Sequence, residues 1–244
     1  MRWNWLVADV ETVVPPHPAK WTDHDLAVIA RTLHQLGATR SFTGKSVPWI
    51  LDPFAGPGRI HDLPSFGLDC WTFGYELAPG WAASHGFTWC GDARNMHWPD
   101  DTFDSIVTSP TFGNRMADTY VDHTVRNTYT AKYGAPLDRE ANSGTMNWGH
   151  RYRRLHRECL TEFDRVLAPG GFLVVHMRDH VRDKVIAPVA QWWLTTVGDW
   201  GGFASAGLVA VTSSGLPQGE NWQSRVGDGS VLMCWRKHDP VRGA

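Results

Sequence analysis

Residues 47–60 read VPWILDPFAGPGRI, and the fold is decided there. Val47 to Leu51 is a short apolar run that stops abruptly at Asp52, and Pro53, Gly56, Pro57 and Gly58 follow it. An apolar run this short, closed by turn residues, reads as a fully buried strand. Two glycines two residues apart at its end let backbone approach a ligand closely and leave N–H groups to bind it. The spacing is G-x-G; a third glycine does not complete a dinucleotide fingerprint, and no Lys-Ser/Thr pair follows as a P-loop requires.

Upstream, Thr22 is placed to cap a helix in which Leu26, Ile29, Ala30, Leu33 and Leu36 recur at helical spacing before Gly37. Downstream, three more strands are expected in CWTFGYELAP, FTWCGDAR and FDSIVTSPTF, each with a chemically useful residue at its end. Arg151 to Leu167 carries one apolar stripe (Tyr152, Leu155, Cys159, Phe163, Val166), with Arg153, Arg154 and Arg157 displaced from it. Pro169-Gly170-Gly171 is expected to stop that helix before the strand FLVVHM. Ile186 to Val197 reads as a further helix, and Leu208–Thr212 and Val231–Trp235 as two closing strands. Alternating strands and helices imply an α/β fold with a mainly parallel sheet.

In such a sheet, ligands bind beyond the carboxyl ends of the strands. Four loops there offer chemistry. The first is Asp52-Pro53-Phe54-Ala55-Gly56-Pro57-Gly58. Glu76 follows the second strand, 18 residues after Gly58, where an acid can accept both hydroxyls of a ribose. Asp92, in Cys90-Gly91-Asp92-Ala93, could accept from the amino group of adenine, or simply form its turn. The fourth is Ser109-Pro110-Thr111-Phe112: Pro110 stiffens the turn, Phe112 offers a flat face for a base, and Ser109 Oγ and the Pro110 carbonyl are acceptors.

Taken together, these residues resemble the class I S-adenosylmethionine-dependent methyltransferases, and within them the amino-methylating DNA methyltransferases. Members carry a D-P-F-x-G-x-G loop, an acid after strand two, an Asp after strand three and an [SDN]-P-P-[YFW] tetrapeptide. His17-Pro18-Ala19-Lys20 is similar to the family's H-P-A-K segment, and cofactor motifs precede the tetrapeptide, as in the gamma arrangement. The tetrapeptide here is S-P-T-F, with Thr111 where the second proline normally sits. The resemblance implies a doubly wound, mostly parallel seven-stranded Rossmann-like sheet over residues 1–244, taken as a single domain, with 113–150 as an inserted loop facing the substrate. It implies S-adenosyl-L-methionine as cofactor, held by Lys20, Asp52, Pro53, Phe54, Ala55, Gly56, Gly58, Glu76, Leu77, Asp92 and Ala93. Ser109, Pro110, Thr111 and Phe112 would be catalytic. The substrate implied is a base flipped out of double-stranded DNA, with N4 of cytosine ahead of N6 of adenine because serine leads the tetrapeptide.

Composition bounds the rest. A chain of 244 residues, 42% hydrophobic and 20% charged, is an ordinary globular protein with enough core to fold without disulfide or metal staples. Net charge is −2, but residues 113–157 hold eight Lys/Arg and four Asp/Glu, so this stretch is about +4 and the remainder about −6. That basic stretch is either a solvated face or an anion-binding surface, on which Arg115, Arg126, Arg151, Arg153 and Arg154 would hold DNA phosphates. The four cysteines are scattered and read as reduced thiols, which with the absence of a signal-like start points to the cytoplasm and to no membrane. His176-x-x-x-His180 lacks a helical HExxH frame, so no metal is expected, and no nucleophile-elbow motif suggests hydrolysis. Competing readings are an RNA base methyltransferase, an inactive nucleic-acid-binding relative and a small-molecule methyltransferase, which a hydrophobic rather than basic lid would favour. Oligomeric state stays open.

Overall fold

The computed structural model describes residues 14–17, 20–113, 128–182, 185–212 and 229–239. Thr22 caps helix α1 (Asp23–Leu36) through a capping box with Asp25, and Gly37 closes it at φ 71°. The chain then lays down β1 (Trp49–Asp52), β2 (Trp71–Glu76), β3 (Thr88–Cys90) and β4 (Phe103–Thr108), with a 3₁₀ turn at Arg59–Phe66 and a short helix α2 (Pro79–Ala82) between them. Helix α3 (Tyr129–Tyr133), α4 (His150–Val166), strand β5 (Leu167–Met177), a small hairpin β6 (His180–Arg182) and β7 (Val185–Ala187), helix α5 (Val189–Gly198), and strands β8 (Phe203–Thr212) and β9 (Gly229–Lys237) follow.

The main sheet has seven strands in the order β3-β2-β1-β4-β5-β9-β8. β3, β2, β1, β4 and β5 run parallel, and β9 pairs antiparallel with both β5 and β8. The chain grows outward from β1 in one direction, returns to β4, and grows the other way. β1 and β4 therefore flank the switch point, where a crevice opens at their carboxyl ends.

Alternation along the strands builds the two faces. Leu51, Ile106, Leu173 and Val175 pack against α4 and α5, while Ile50, Val107, Phe172 and Val174 pack against α1 and the 3₁₀ turn. By the same alternation His176 falls on the α1 face, where its ring stacks on Trp21 at 5.3 Å.

Two expectations are corrected. α4 ends at Val166, and β5 begins at the very next residue. Gly170 and Gly171 are not its stop signal but part of β5. A Cβ on Gly171 would come within 2.7 Å of the Asp104 carbonyl, so the glycine serves the close approach of β5 to β4 beside the register shift between Phe103 and Ser105. The aperiodic stretch also folds within its described part: residues 128–149 hold α3 and a 3₁₀ turn at Ser143–Thr145, and bury Tyr129, Asn142, Ser143 and Met146.

Candidate functional site

The loops after β1, β2, β3 and β4 meet in one cavity of about 290 Å³ at the carboxyl ends of the strands. Pro53, Phe54, Ala55 and Gly56 form one wall, Glu76 and Leu77 the next, Asp92 and Ala93 a third, and Ser109 to Phe112 the fourth. Lys20 lies exposed on the rim, and Trp21, Trp81 and Tyr129 add aromatic surface.

Asp52 and Gly58, both expected to hold a cofactor, do not line the cavity. The Asp52 carboxylate is consumed inside the protein, accepting from Trp21 Nε1 at 3.1 Å, Thr108 Oγ1 at 2.8 Å and Phe54 N at 3.0 Å. Burial pushes its pKa up to about 6 despite these donors. Its role is to tie the ends of β1 and β4 and the Trp21 indole into one rigid floor. Gly58 turns the chain at φ 82° into the 3₁₀ segment, with a hypothetical Cβ facing His61 and His85 at 3.0 Å.

The loop's N–H groups are also used within the protein, contrary to expectation. Ala55 N donates to the Tyr75 carbonyl, Gly58 N to the Ala55 carbonyl, and Gly56 N to Glu76 Oε2 at 3.0 Å. Glu76 Oε1 accepts from Ala78 N at 2.8 Å. The carboxylate is thus held by a backbone donor on each oxygen. Burial pushes the Glu76 pKa up to about 7, against backbone hydrogen bonds from Ala78, Gly56 and Leu77, and the nearby Asp52 carboxylate adds to the rise. Gly56 itself sits at φ 52°, beneath the His17 ring, which a Cβ would meet at 3.1 Å. Of the H-P-A-K segment, His17 and Lys20 line the cavity, and Pro18 and Ala19 lie outside the described residues.

Asp92 is gripped by Arg94, whose guanidinium reaches both carboxylate oxygens at 2.6–3.0 Å. Burial alone would raise the Asp92 pKa, but the arginine overrides it and holds the group below the usual carboxylate range. It lines the cavity as an ionised acceptor.

The tetrapeptide is held from both sides. Thr111 Oγ1 donates to the Ser143 carbonyl at 3.0 Å, and the buried Tyr152 hydroxyl donates to the Thr111 carbonyl at 2.5 Å. Threonine in place of a second proline therefore tethers the loop to the segment that covers the cavity, a bond proline cannot make. Ser109 Oγ lies 3.4 Å from His176 Nδ1, and His176 Nε2 lies 2.5 Å from Ser230 Oγ. Burial lowers the His176 pKa to about 4, against the pull of the Asp25 carboxylate, so the ring is neutral.

Of the arginines expected to hold phosphates, the described ones stand apart from this cavity. Arg115 and Arg126 lie outside the described residues. Arg151, Arg153 and Arg154 occupy the first turn of α4, at the same end of the sheet as the cavity but not in its lining. Arg151 pairs with Glu140, Arg154 with Glu158, and Arg153 lies 5.3 Å over the Trp148 ring. Sequence reasoning missed Tyr129, Asn142, Ser143, His176 and Ser230 as lining residues. Only the basic, aperiodic character of residues 113–157 hinted at the first three, and nothing marked the pairing of His176 with Ser230. Among the described residues, no group of three or more His, Cys, Asp or Glu is placed to hold a metal ion, and no helix is long and apolar enough to cross a membrane.

No family model matches the chain, and no curated protein matches it in sequence. Solved structures do match its fold. A provisionally assigned sarcosine dimethylglycine methyltransferase from Galdieria sulphuraria is similar at a TM-score of 0.54, with 11% identity over 95% of each chain. The [4+2]-cyclase SpnF matches at 0.51 with 14% identity, over 91% of this chain and 84% of its own. The MccD protein matches at 0.50 with 11% identity, over 86% of this chain and 96% of its own. With the strand order above, these place the chain in the class I methyltransferase fold. A cyclase among the matches shows that this fold does not dictate its chemistry, which must be argued from the site.

Proposed function

We propose that this protein is an S-adenosylmethionine-dependent methyltransferase acting on an exocyclic amino group of a DNA base, with cytosine N4 ahead of adenine N6. The observation that carries the reading is the convergence of the Pro53–Gly56 loop, Glu76, Asp92 and the Ser109–Phe112 tetrapeptide on one cavity. The donor set fits the cofactor. Glu76, an acceptor in the cavity wall, suits the two ribose hydroxyls, and Asp92, ionised beside Arg94, suits an adenine amino group. Bound there, the cofactor would supply a methyl group on a positively charged sulfur that departs as a neutral thioether.

The chain's own residues supply position and polarity. An exocyclic amine is a poor nucleophile because its lone pair is delocalised into the ring. Ser109 Oγ and the Pro110 carbonyl accept from its two N–H groups, drawing these bonds out of the ring plane and localising the lone pair on nitrogen. Phe112 stacks on the base and aligns the nitrogen for in-line attack. The nitrogen lone pair would take the methyl group that the bound cofactor supplies, and the nitrogen then loses one proton to solvent. No covalent intermediate with the protein is required.

A second reading has a specific observation behind it. The described segment covering the cavity contributes Tyr129, Ala141, Asn142 and Ser143 to the lining and no Lys or Arg. A covering surface of this kind suits a small amine better than a phosphate backbone. One experiment separates the readings: incubation with S-adenosylmethionine, unmethylated DNA and total RNA, then digestion to nucleosides and mass spectrometry. The proposal expects N4-methylcytosine or N6-methyladenine in the DNA. Product confined to RNA moves the substrate to RNA, and a bound cofactor with no methylated nucleoside in either pool favours the small amine.

A further inference from the structure

Ser109 Oγ can serve as an acceptor for a substrate N–H only if its own proton points elsewhere. A serine hydroxyl rotates freely, and in a mostly apolar cavity its O–H would turn toward any acceptor it could find. The wall behind Ser109 supplies one. His176 Nδ1 lies 3.4 Å from Ser109 Oγ, His176 Nε2 lies 2.5 Å from Ser230 Oγ, and Ser230 Oγ lies 3.5 Å from the Val211 carbonyl. The string thus runs from the cavity wall across β5 to the β8–β9 pair.

The far end favours one direction. A backbone carbonyl only accepts, so a Ser230 hydroxyl that donates to Val211 turns its lone pairs to His176. In that direction the neutral imidazole carries its proton on Nε2 and its lone pair on Nδ1. Ser109 in turn donates to Nδ1, which leaves both Oγ lone pairs free on the cavity side. His176 is 8% exposed and its ring is held between Trp21, at 5.3 Å, and the edge of Phe112, at 6.2 Å, so it is confined within the wall.

We infer that the Ser109–His176–Ser230–Val211 string is a proton-orienting device that makes Ser109 a pure acceptor, selecting substrates that present an N–H donor rather than a hydroxyl acceptor at that point. His176 is a positioning residue in this scheme and exchanges no proton with the substrate. The inference deepens the amino-group reading and rests on it for its substrate, but the string can be tested without turnover.

The tautomer is read first, by nitrogen NMR of ¹⁵N-histidine-labelled protein, with His176→Leu to assign the signal. A neutral ring protonated on Nε2 is expected. A proton on Nδ1, or on both nitrogens, overturns the inference. Methyl transfer to the DNA of the nucleoside assay is then measured in a double-mutant cycle. His176→Leu is expected to lower kcat about ten- to a hundredfold, with KM and S-adenosylmethionine affinity held within about threefold. In a Ser109→Ala background the same change is expected to cost nothing more, and His176→Asn, whose amide oxygen can accept from Ser109, to recover part of the loss. Two effects that multiply independently would show His176 to be merely structural and sink the inference. If the wild type methylates no DNA, the functional reading fails alone, and the tautomer still decides the string.

Discussion

At the scale of single residues, Glu76 makes the sharpest pH prediction. Its carboxylate must be ionised to accept from two hydroxyls, and burial places its pKa at about 7. S-adenosylmethionine affinity should therefore rise as pH increases from about 6 to about 8, and Glu76→Gln should bind more weakly and lose that pH dependence. Isothermal titration at three pH values checks this; a flat wild-type profile would remove Glu76 from the ribose contact. Phe112→Ala should abolish methyl transfer while leaving cofactor affinity within a few-fold, since in the proposed mechanism its ring stacks on the base. Normal turnover by that variant would show the tetrapeptide to be misassigned. Gly56→Val should abolish cofactor binding by equilibrium dialysis, because a β-branched residue is strained at φ 52° and its Cβ meets His17. Retained affinity would mean that this loop does not form the cofactor wall.

At the scale of elements, the tetrapeptide loop depends on α4. Tyr152→Phe deletes the hydroxyl that holds the Thr111 carbonyl and leaves a partly buried acceptor unmet, which costs about 1 kcal/mol. A fall of at least about 2–4 °C in Tm is expected by calorimetry, with reduced kcat. An unchanged Tm would mean that the loop holds its shape without this bond. The elements themselves were legible to different degrees, for physical reasons. α1 announced both its ends, because a capping side chain and a left-handed glycine are local chemistry. β1 and β4 were legible because buried parallel strands must be continuously apolar. α3 and the Ser143–Thr145 turn are five and three residues long, too short to show a period, so the cover of the cavity read as loop. The partners of Asp52 were not legible, because a motif records which residue stands at a turn and not that its oxygens accept from Trp21, Thr108 and Phe54. His176 and Ser230 are 54 positions apart, and only the antiparallel pairing of β5 with β9 brings them together.

For the whole molecule, opposing buried groups set the dependence of stability on pH. Burial lowers His61, His156 and His176 to about 4, with neighbouring His85 adding to the effect at His61. The unfolded chain takes up protons on these rings as pH falls below about 6.5 while the folded protein does not, so stability falls between about pH 6.5 and pH 4. Asp52 and Glu76 act in the other direction. Raised by burial to about 6 and about 7, they contribute most below about pH 4, and that contribution is lost as pH rises through those values. Three histidines outweigh two acids below about pH 6, and above about 6.5 only the acids' loss remains. Urea midpoints of the unliganded protein should therefore peak near about pH 6–6.5; greater stability at about pH 4.5 would contradict these assignments.

The joint between α4 and β5 has a further consequence, for how this architecture can vary in length. Val166 ends the helix and Leu167 begins the strand. Successive strand residues face opposite sides of the sheet, so a slip of β5 by one residue against β4 would turn His176 toward α4 and Val175 toward Trp21. The slack lies just after the joint, between Leu167 and Phe172, where five steps of β5 span only two of β4. A change in length is taken up in that bulge, ahead of the regular pairing that starts at Phe172, so spacing at this end of the strand can drift while the two faces of the sheet keep their residues.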